Sequence, residues 1–142
     1  ARFDLAPARA AAGDAISRAT RVYILDDPTP RDALLDASDW VILGGTWVQG
    51  NAAADPRPAA ARGKGILYGP YPHRHRTAIH ALWEAGAARQ TPSANHLLAA
   101  MREWLSHPGE ADRAGRAGRE LVDAHRGAAQ AVAALLDRPH RW

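Results

Sequence analysis

The sequence predicts an α/β fold: a parallel sheet flanked by helices and followed by a helical C-terminal tail. In the first two thirds of the chain, short apolar segments alternate with segments of helical pattern, and this alternation is typical of parallel sheets. The last third shows helical periodicity without a further strand pattern. With 142 residues, 46% of them hydrophobic, the chain fits one domain with one core. We assign residues 21–142 to that domain and treat the alanine-rich residues 1–20 as an N-terminal segment of uncertain structure, helix or loop.

The first strand is predicted at "RVYIL", Arg21–Leu25, because β-branched and aromatic residues favour strands. A short helix follows to about Ala37, since Thr29 can cap it and Pro30 suits its first turn. Two further strands are expected in "DWVILGG" and in "GILYGP", and both stop at glycine. A helix between them occupies part of Asp55–Arg62, with a proline in its first turn.

Helices dominate the rest of the chain. The first is expected at Arg74–Ala85, and "AARQ" behind it reads as a short edge strand. Ser93 caps a second helix, and Glu110–His125 forms a third. Gly127 separates the third helix from a fourth, which ends before Pro139. The helix after Ser93 places five large apolar residues on one face at a 3.6-residue period: Leu97, Leu98, Met101, Trp104 and Leu105.

Charge, cysteine content and the length of the apolar runs argue against several classes of protein. The formal net charge is +3, but the 18 basic residues alternate with 15 acidic ones and form no basic block, so nucleic-acid binding is not favoured. There is no cysteine, which excludes disulfides and thiolate zinc sites and fits a reducing compartment. No apolar run is long enough to cross a bilayer, and no signal-peptide pattern opens the chain.

The predicted strands place a ligand-binding edge at their carboxyl ends, at Asp26–Asp27, Gly44–Gly45 and Gly69–Pro70. Glycine lets a ligand approach the backbone amides, and Thr46 would add a hydroxyl donor. A helix that begins near Asp55 would offer free amides to an anion. The alternative is that the glycine pair merely turns the chain.

Basic side chains gather behind the third strand, in "GPYPHRHRT". Arg74 and Arg76 would stand at the start of a helix, where positive charge is better tolerated when an anion is bound. The alternative is a solvated loop. His73, His75 and His80 are the neighbouring metal-ligand types, but no carboxylate completes a tetrahedral set, so no metal site is expected.

The tryptophans divide between core and edge. Trp83 and Trp104 lie on apolar helical faces and are expected in the core, whereas Trp47 follows the glycine pair and would floor a pocket or plug an interface. No Ser–His–Asp arrangement, nucleophile elbow or phosphate-binding P-loop is present, and no catalytic residue is assigned.

Four strings in order resemble the C-terminal half of the 3-deoxy-D-manno-octulosonic-acid (Kdo) transferases: "VYILDDPTPRDALLDASDWVILGG", "PAAARGKGILYGP", "ALWEAGAARQ" and "DAHRGAAQAVAALL". The resemblance implies a Rossmann-like domain, the donor-binding half of a GT-B glycosyltransferase. In that family the C-terminal domain binds CMP-Kdo, and an N-terminal domain carries the catalytic carboxylate and the lipid acceptor site. The family builds the inner core of lipopolysaccharide.

Several family motifs are similar here and one is broken. Gly44–Thr46 resembles the family's Gly-Gly-Ser, and Gly69–Pro70 its Gly-Pro. The family's Asn-Pro-Leu-Glu reads Asp55–Pro58 here, so a proline replaces the donor-contacting glutamate. Where the family has Asn-Phe after Gly-Pro, this chain has "HRHR". The resemblance assigns the donor edge to Gly44, Gly45, Thr46, Asp55, Gly69, Pro70, Arg74 and Arg76.

The broken motif favours a non-catalytic structural or interaction subunit, a pseudoenzyme, inactive as an isolated chain. The alternative is the CMP-Kdo-binding part of an active glycosyltransferase that needs a separate N-terminal half. Either hypothesis implies another protein chain or domain as partner. The donor-binding alternative adds a CMP-sugar as ligand, and no other cofactor is expected. The expected location is the cytoplasm, with peripheral attachment to the bacterial inner membrane through a partner.

Overall fold

Five short parallel strands form two sheets in the computed structural model, which describes residues 6–26 and 31–136. The chain divides into two compact units, Ala1–Ala37 and Ser38–Trp142, and each is described by itself. None of the described helices is both long and apolar enough to cross a membrane.

The first unit contains a two-stranded parallel sheet and one helix. Strand β1 (Pro7–Arg9) pairs with β2 (Val22–Ile24), and α1 covers Arg31–Ala37. The predicted strand at Arg21–Leu25 is confirmed, but its hydrogen-bonded partner β1 lies in the segment that the sequence left open. Thr29 and Pro30 lie outside the described residues, so the expected helix cap is not among the structural findings.

An ion pair joins the carboxyl ends of β1 and β2. The Arg9 guanidinium donates to Asp26 Oδ2 from Nε at 2.9 Å and from Nη2 at 2.6 Å, and the Ala11 amide donates to Asp26 Oδ1 at 2.8 Å. These donors hold the pKa of Asp26 below its ordinary value, the Ala11 amide first and Arg9 second. Asp26 is therefore engaged with the end of β1 and the loop that follows it.

The second unit contains a three-stranded parallel sheet in the order β3-β4-β5, formed by Trp40–Ile42, Gly65–Tyr68 and Ala88–Gln90. Ile42 lies opposite Leu67, which lies opposite Arg89. The parallel pairing of the two glycine-terminated strands is confirmed. The expectation that Arg21–Leu25 shares their sheet is wrong for the described residues, since its strand pairs with β1 and the third position belongs to β5.

Four α-helices accompany this sheet in the described part of the unit: α2 (Arg57–Ala61), α3 (Arg76–Glu84), α4 (Ala94–Ser106) and α5 (Pro108–Leu136). A 3₁₀ turn at His73–His75 precedes α3. The predicted division at Gly127 is wrong, because α5 continues through it. A glycine inside a helix costs only about 1 kcal/mol and does not by itself end it.

The core lies where α4 and α5 pack on the central strand. Every residue of β4 is buried, and Leu67 contacts a cluster formed by Ala100, Trp104, Ala111 and Ala114. The Trp104 ring meets Trp40 edge to face, with ring centroids 5.8 Å apart. Trp104 is thus a core residue, as predicted.

Three other apolar predictions are wrong. Trp83 is 53% exposed because α3 packs through Ile79 and Leu82, and the residue after Leu82 points about 100° away around the helix. Leu98 and Leu105 are also exposed, since only one side of α4 contacts the core.

Candidate ligand-binding site

A buried threonine joins the loops that follow β3 and β4. The Thr46 side chain is fully buried, its hydroxyl donates to Leu43 O at 2.7 Å, and the same oxygen accepts from the Gly69 amide at 2.7 Å. The Thr46 carbonyl accepts from the Tyr71 amide at 2.8 Å. The Thr46 hydroxyl, which the sequence predicted as a donor to a ligand, is therefore bonded to the protein itself. Its two hydrogen bonds hold together the first residues of both loops.

Two of the three predicted glycines serve the protein's own packing. Gly45 has φ of +78°, and a Cβ there would lie 2.5 Å from Ala52 O. A Cβ on Gly69 would lie 2.5 Å from Thr46 O and 2.7 Å from Trp47 Cδ2. Gly44 is exposed, and a Cβ on it would meet nothing within 4 Å. Of the three, Gly44 leaves the most room for a ligand.

Trp47 ties the third loop to the other two. Its indole Nε1 donates to Thr91 O at 2.9 Å, and its ring covers Gly69. The Thr91 hydroxyl donates in turn to Tyr68 O at 3.0 Å. Trp47 therefore braces the loops after all three strands, whereas the sequence suggested a pocket floor or an interface plug.

Asp55 occupies the start of α2 with its own carboxylate. Its Oδ1 accepts from the Arg57 amide at 2.9 Å, and the Arg57 guanidinium donates to both carboxylate oxygens, at 2.6 Å in its shortest bond. This side-chain bond is the main reason that the pKa of Asp55 lies below its ordinary value, and the charge of nearby His75 adds to it. The first amide of this five-residue helix, that of Arg57, is therefore engaged by Asp55, and the next residue, Pro58, has no amide hydrogen to offer an external anion.

A cleft lies between the loops after β3 and β4, with a volume of about 390 Å³. Arg74 lines it on one side. The rest of its lining comes from Gln49, Gly50, Asn51, Ala52 and His73. We call this volume the amide cleft.

An aromatic cavity of about 330 Å³ lies beside the amide cleft, along one face of α3. Arg76 and Trp83 line it with Tyr68, whose pKa is raised by burial. The remaining lining residues are Pro70, Pro72, His73, Ile79, His80 and Gln90. We call this volume the indole cavity. Because His73 lines both volumes, they share a wall.

The two predicted arginines are among those that have no carboxylate partner in the described part of the chain, as are Arg18, Arg21, Arg102, Arg116 and Arg119. Within residues 6–26 and 31–136, neither Arg74 nor Arg76 forms an ion pair or a side-chain hydrogen bond with the protein. Other arginines pair with carboxylates: Arg9, Arg57, Arg89, Arg113 and Arg126. No group of three or more metal-ligand side chains comes together in the described part of the chain. Because Arg74 and Arg76 have no carboxylate partner among the described residues, their positive charge is available to an anion at this edge.

No protein-family model matches the chain, and no curated protein matches it. Among solved structures it is similar to the crystal structure of the C-terminal CMP-Kdo binding domain of WaaA from Acinetobacter baumannii, with a TM-score of 0.77 at 15% sequence identity. The chain has the fold of that domain. The match covers 84% of this chain and 62% of the other, so the chain spans less than two thirds of the matched structure.

The resemblance seen in the sequence is confirmed as one of fold. Within that fold, Thr46 brings the first and second glycine-terminated strand ends together, and Arg74 and Arg76 face adjacent cavities. Asp55 is separate in role, because Arg57 holds it.

The sequence analysis did not identify Gln49, Asn51 and Trp83 as residues that line the two cavities. Helical spacing could have found the last, since Trp83 lies seven residues after Arg76 and so on the same face.

Proposed function

We propose that this chain is a donor-side domain of the Kdo-transferase type, which binds a CMP-linked acidic sugar at the carboxyl edge of the β3-β4-β5 sheet. The fold supports the proposal, and so does the position of the cavities, because ligands of open parallel sheets bind outside the carboxyl ends of the strands. Fold alone does not specify function, so the argument rests on the side chains at that edge.

The observation that carries the proposal is the pair of arginines without carboxylate partners, Arg74 and Arg76, in adjacent cavities. A CMP-sugar acid presents two anionic groups, the phosphate and the sugar carboxylate. Guanidinium groups bind both kinds of oxyanion through paired hydrogen bonds. Each such charged hydrogen bond contributes about 1.5–3 kcal/mol.

The domain supplies binding, not the chemical step. In this proposal the acceptor site and the catalytic carboxylate belong to a separate half, which also brings the chain to the cytoplasmic face of the inner membrane. A donor-side domain alone cannot hold donor and acceptor in a reactive geometry, so transfer requires that partner.

A second candidate function is a non-catalytic interaction subunit that keeps the fold without the donor. The Asp55–Arg57 pair favours it, because a carboxylate at this edge opposes an anionic donor and Arg57 is already occupied. Pro58 adds to this argument, since it offers no side-chain hydrogen bond to sugar or ribose hydroxyls.

Calorimetric titration of the full chain with CMP-Kdo distinguishes the two. Donor binding predicts a saturable heat signal with the wild-type chain. In the double variant Arg74→Ala/Arg76→Ala the affinity for CMP-Kdo should fall at least 100-fold, because two charged contacts are lost. The matched control is Arg116→Ala. Arg116 is an exposed arginine on α5 beside Gly115, which packs against Gly63 just before the amino end of β4, at the opposite edge of the sheet. No heat with millimolar CMP-Kdo would reject the donor function and favour the interaction subunit.

A further inference from the structure

We propose that the two cavities divide the ligand, and this inference rests on the proposed function. The indole cavity takes the nucleoside phosphate, with the base stacked on Trp83 and the phosphate on Arg76. The amide cleft takes the acidic sugar, with its carboxylate on Arg74 and its hydroxyls on Gln49 and Asn51.

The indole cavity has the chemistry of a base site. Trp83 is 53% exposed although its ring is large and apolar. The His80 ring lies beside it, with centroids 5.9 Å apart and the planes 51° apart, and the exposed part of the indole is available to a flat partner. Buried Ile79 and Tyr68 provide an apolar floor beside it. Stacking on an aromatic side chain is a general way to bind a base, because every base has a π-face.

A cation stands at a suitable distance from that platform. Arg76, Ile79, His80 and Trp83 follow one another at helical spacing along the cavity-lining face of α3. Arg76 and Trp83 are seven residues apart, which is about 10 Å along the helix axis. That separation leaves room for a ribose between a base on the indole and a phosphate on the guanidinium.

The amide cleft has the chemistry of a sugar site. Gln49 and Asn51 are exposed, and neither side chain hydrogen-bonds to the described part of the protein. An amide side chain both donates and accepts, and this matches the hydroxyl groups of a sugar. Arg74 adds the fork of donors that a carboxylate accepts. The cleft has no aromatic lining apart from His73, so it offers little surface for stacking a base.

The wall between the cavities is well placed for a linked ligand. The His73 ring lines both volumes and lies over Tyr71, with centroids 5.9 Å apart and the planes 23° from parallel. The Tyr71 amide is held by Thr46 O. A ligand whose phosphate joins a nucleoside to a sugar would pass His73 at the junction.

The test compares CMP, CMP-Kdo and free Kdo by calorimetry on the full chain and on single variants. We expect Trp83→Ala and Arg76→Ala each to weaken CMP about tenfold or more, and Trp83→Phe, which keeps an aromatic ring, to weaken it less than about threefold. We expect Arg74→Ala and Asn51→Ala to leave CMP affinity within about twofold and to weaken CMP-Kdo and free Kdo about tenfold. Arg116→Ala should change none of these affinities.

The outcomes separate the two levels of proposal. If wild-type chain binds CMP-Kdo but Arg74→Ala weakens CMP as much as Arg76→Ala does, the division is overturned and the donor function stands. If Trp83→Ala binds CMP like wild type, the base site is overturned in the same way. If wild-type chain binds none of the three ligands, both proposals fail. All five substituted residues, the control Arg116 included, are exposed, and circular dichroism melting of each variant verifies that it is folded.

Discussion

Replacing Thr46 by valine removes one oxygen from the interior and keeps the side-chain shape. The fully buried hydroxyl has two partners at 2.7 Å, the Leu43 carbonyl and the Gly69 amide, and both of those residues are buried. Valine would leave both backbone groups without this partner in a place that water does not reach. A buried unpaired group costs about 1–3 kcal/mol, so Thr46→Val should lower the free energy of unfolding by about 2–4 kcal/mol.

Urea unfolding followed by tryptophan fluorescence measures this change in the relevant unit. All five tryptophans lie within Ser38–Trp142, so the signal reports the unit that contains Thr46. With a slope of about 2 kcal/mol per molar urea, the middle of the usual range for small proteins, the midpoint should fall by about 1–2 M. Thr46→Ser is the matched control, because it keeps the hydroxyl and loses one methyl group, at a cost of about 1 kcal/mol. An unchanged midpoint for the valine variant, or a serine variant less stable than it, would refute the reasoning.

Two further predictions concern α5 and Asp55. A Cβ on Gly115 would collide with the backbone carbonyl of Gly63, so Gly115→Ala should destabilise the second unit by about 1–3 kcal/mol, whereas Gly109→Ala, whose Cβ meets nothing within 4 Å, should not. Equal urea midpoints for these two variants would contradict the close contact. Because Arg57 lowers the pKa of folded Asp55 below 3.8, the stability it contributes is present above that pH and is lost as the pH falls through the folded pKa. Asp55→Asn should therefore flatten the decline in the urea midpoint between pH 5 and about 2, and an acid decline as steep as that of wild type would show that the pair contributes nothing.

The sheet of the second unit was predictable because its strands carry strong local signals. Strand β4 is a continuous apolar run that ends in glycine, and β3 has the same form, so sequence alone located both and gave their parallel pairing. Strand β1 has no such signal. Its three residues, Pro7–Arg9, form a strand through pairing with β2, and none of them has a high propensity for strands, so the sequence does not predict that pairing.

The site was predictable in position but not in function for each residue. Arg74 and Arg76 were found because they follow a strand end, which is a local relation. The role of Thr46 was not accessible, because its partner Gly69 is 23 residues away and a hydroxyl pattern in the sequence does not identify a distant acceptor or donor. Trp83 was misplaced because Leu82 and Trp83 are adjacent, and only one of two neighbouring apolar residues can face the same core.

The bonds around Thr46 and Trp47 have a consequence for how such a domain changes over evolution. They join the loops through a buried hydroxyl and a partly buried indole, and none of these hydrogen bonds involves residues 49–52 or 73–76. Selection can therefore rewrite the outer residues while the frame persists, which fits a pair of chains that keep one fold at 15% identity. Grafting these two short segments from another member of the fold should transfer its ligand preference and leave the melting temperature close to that of the recipient.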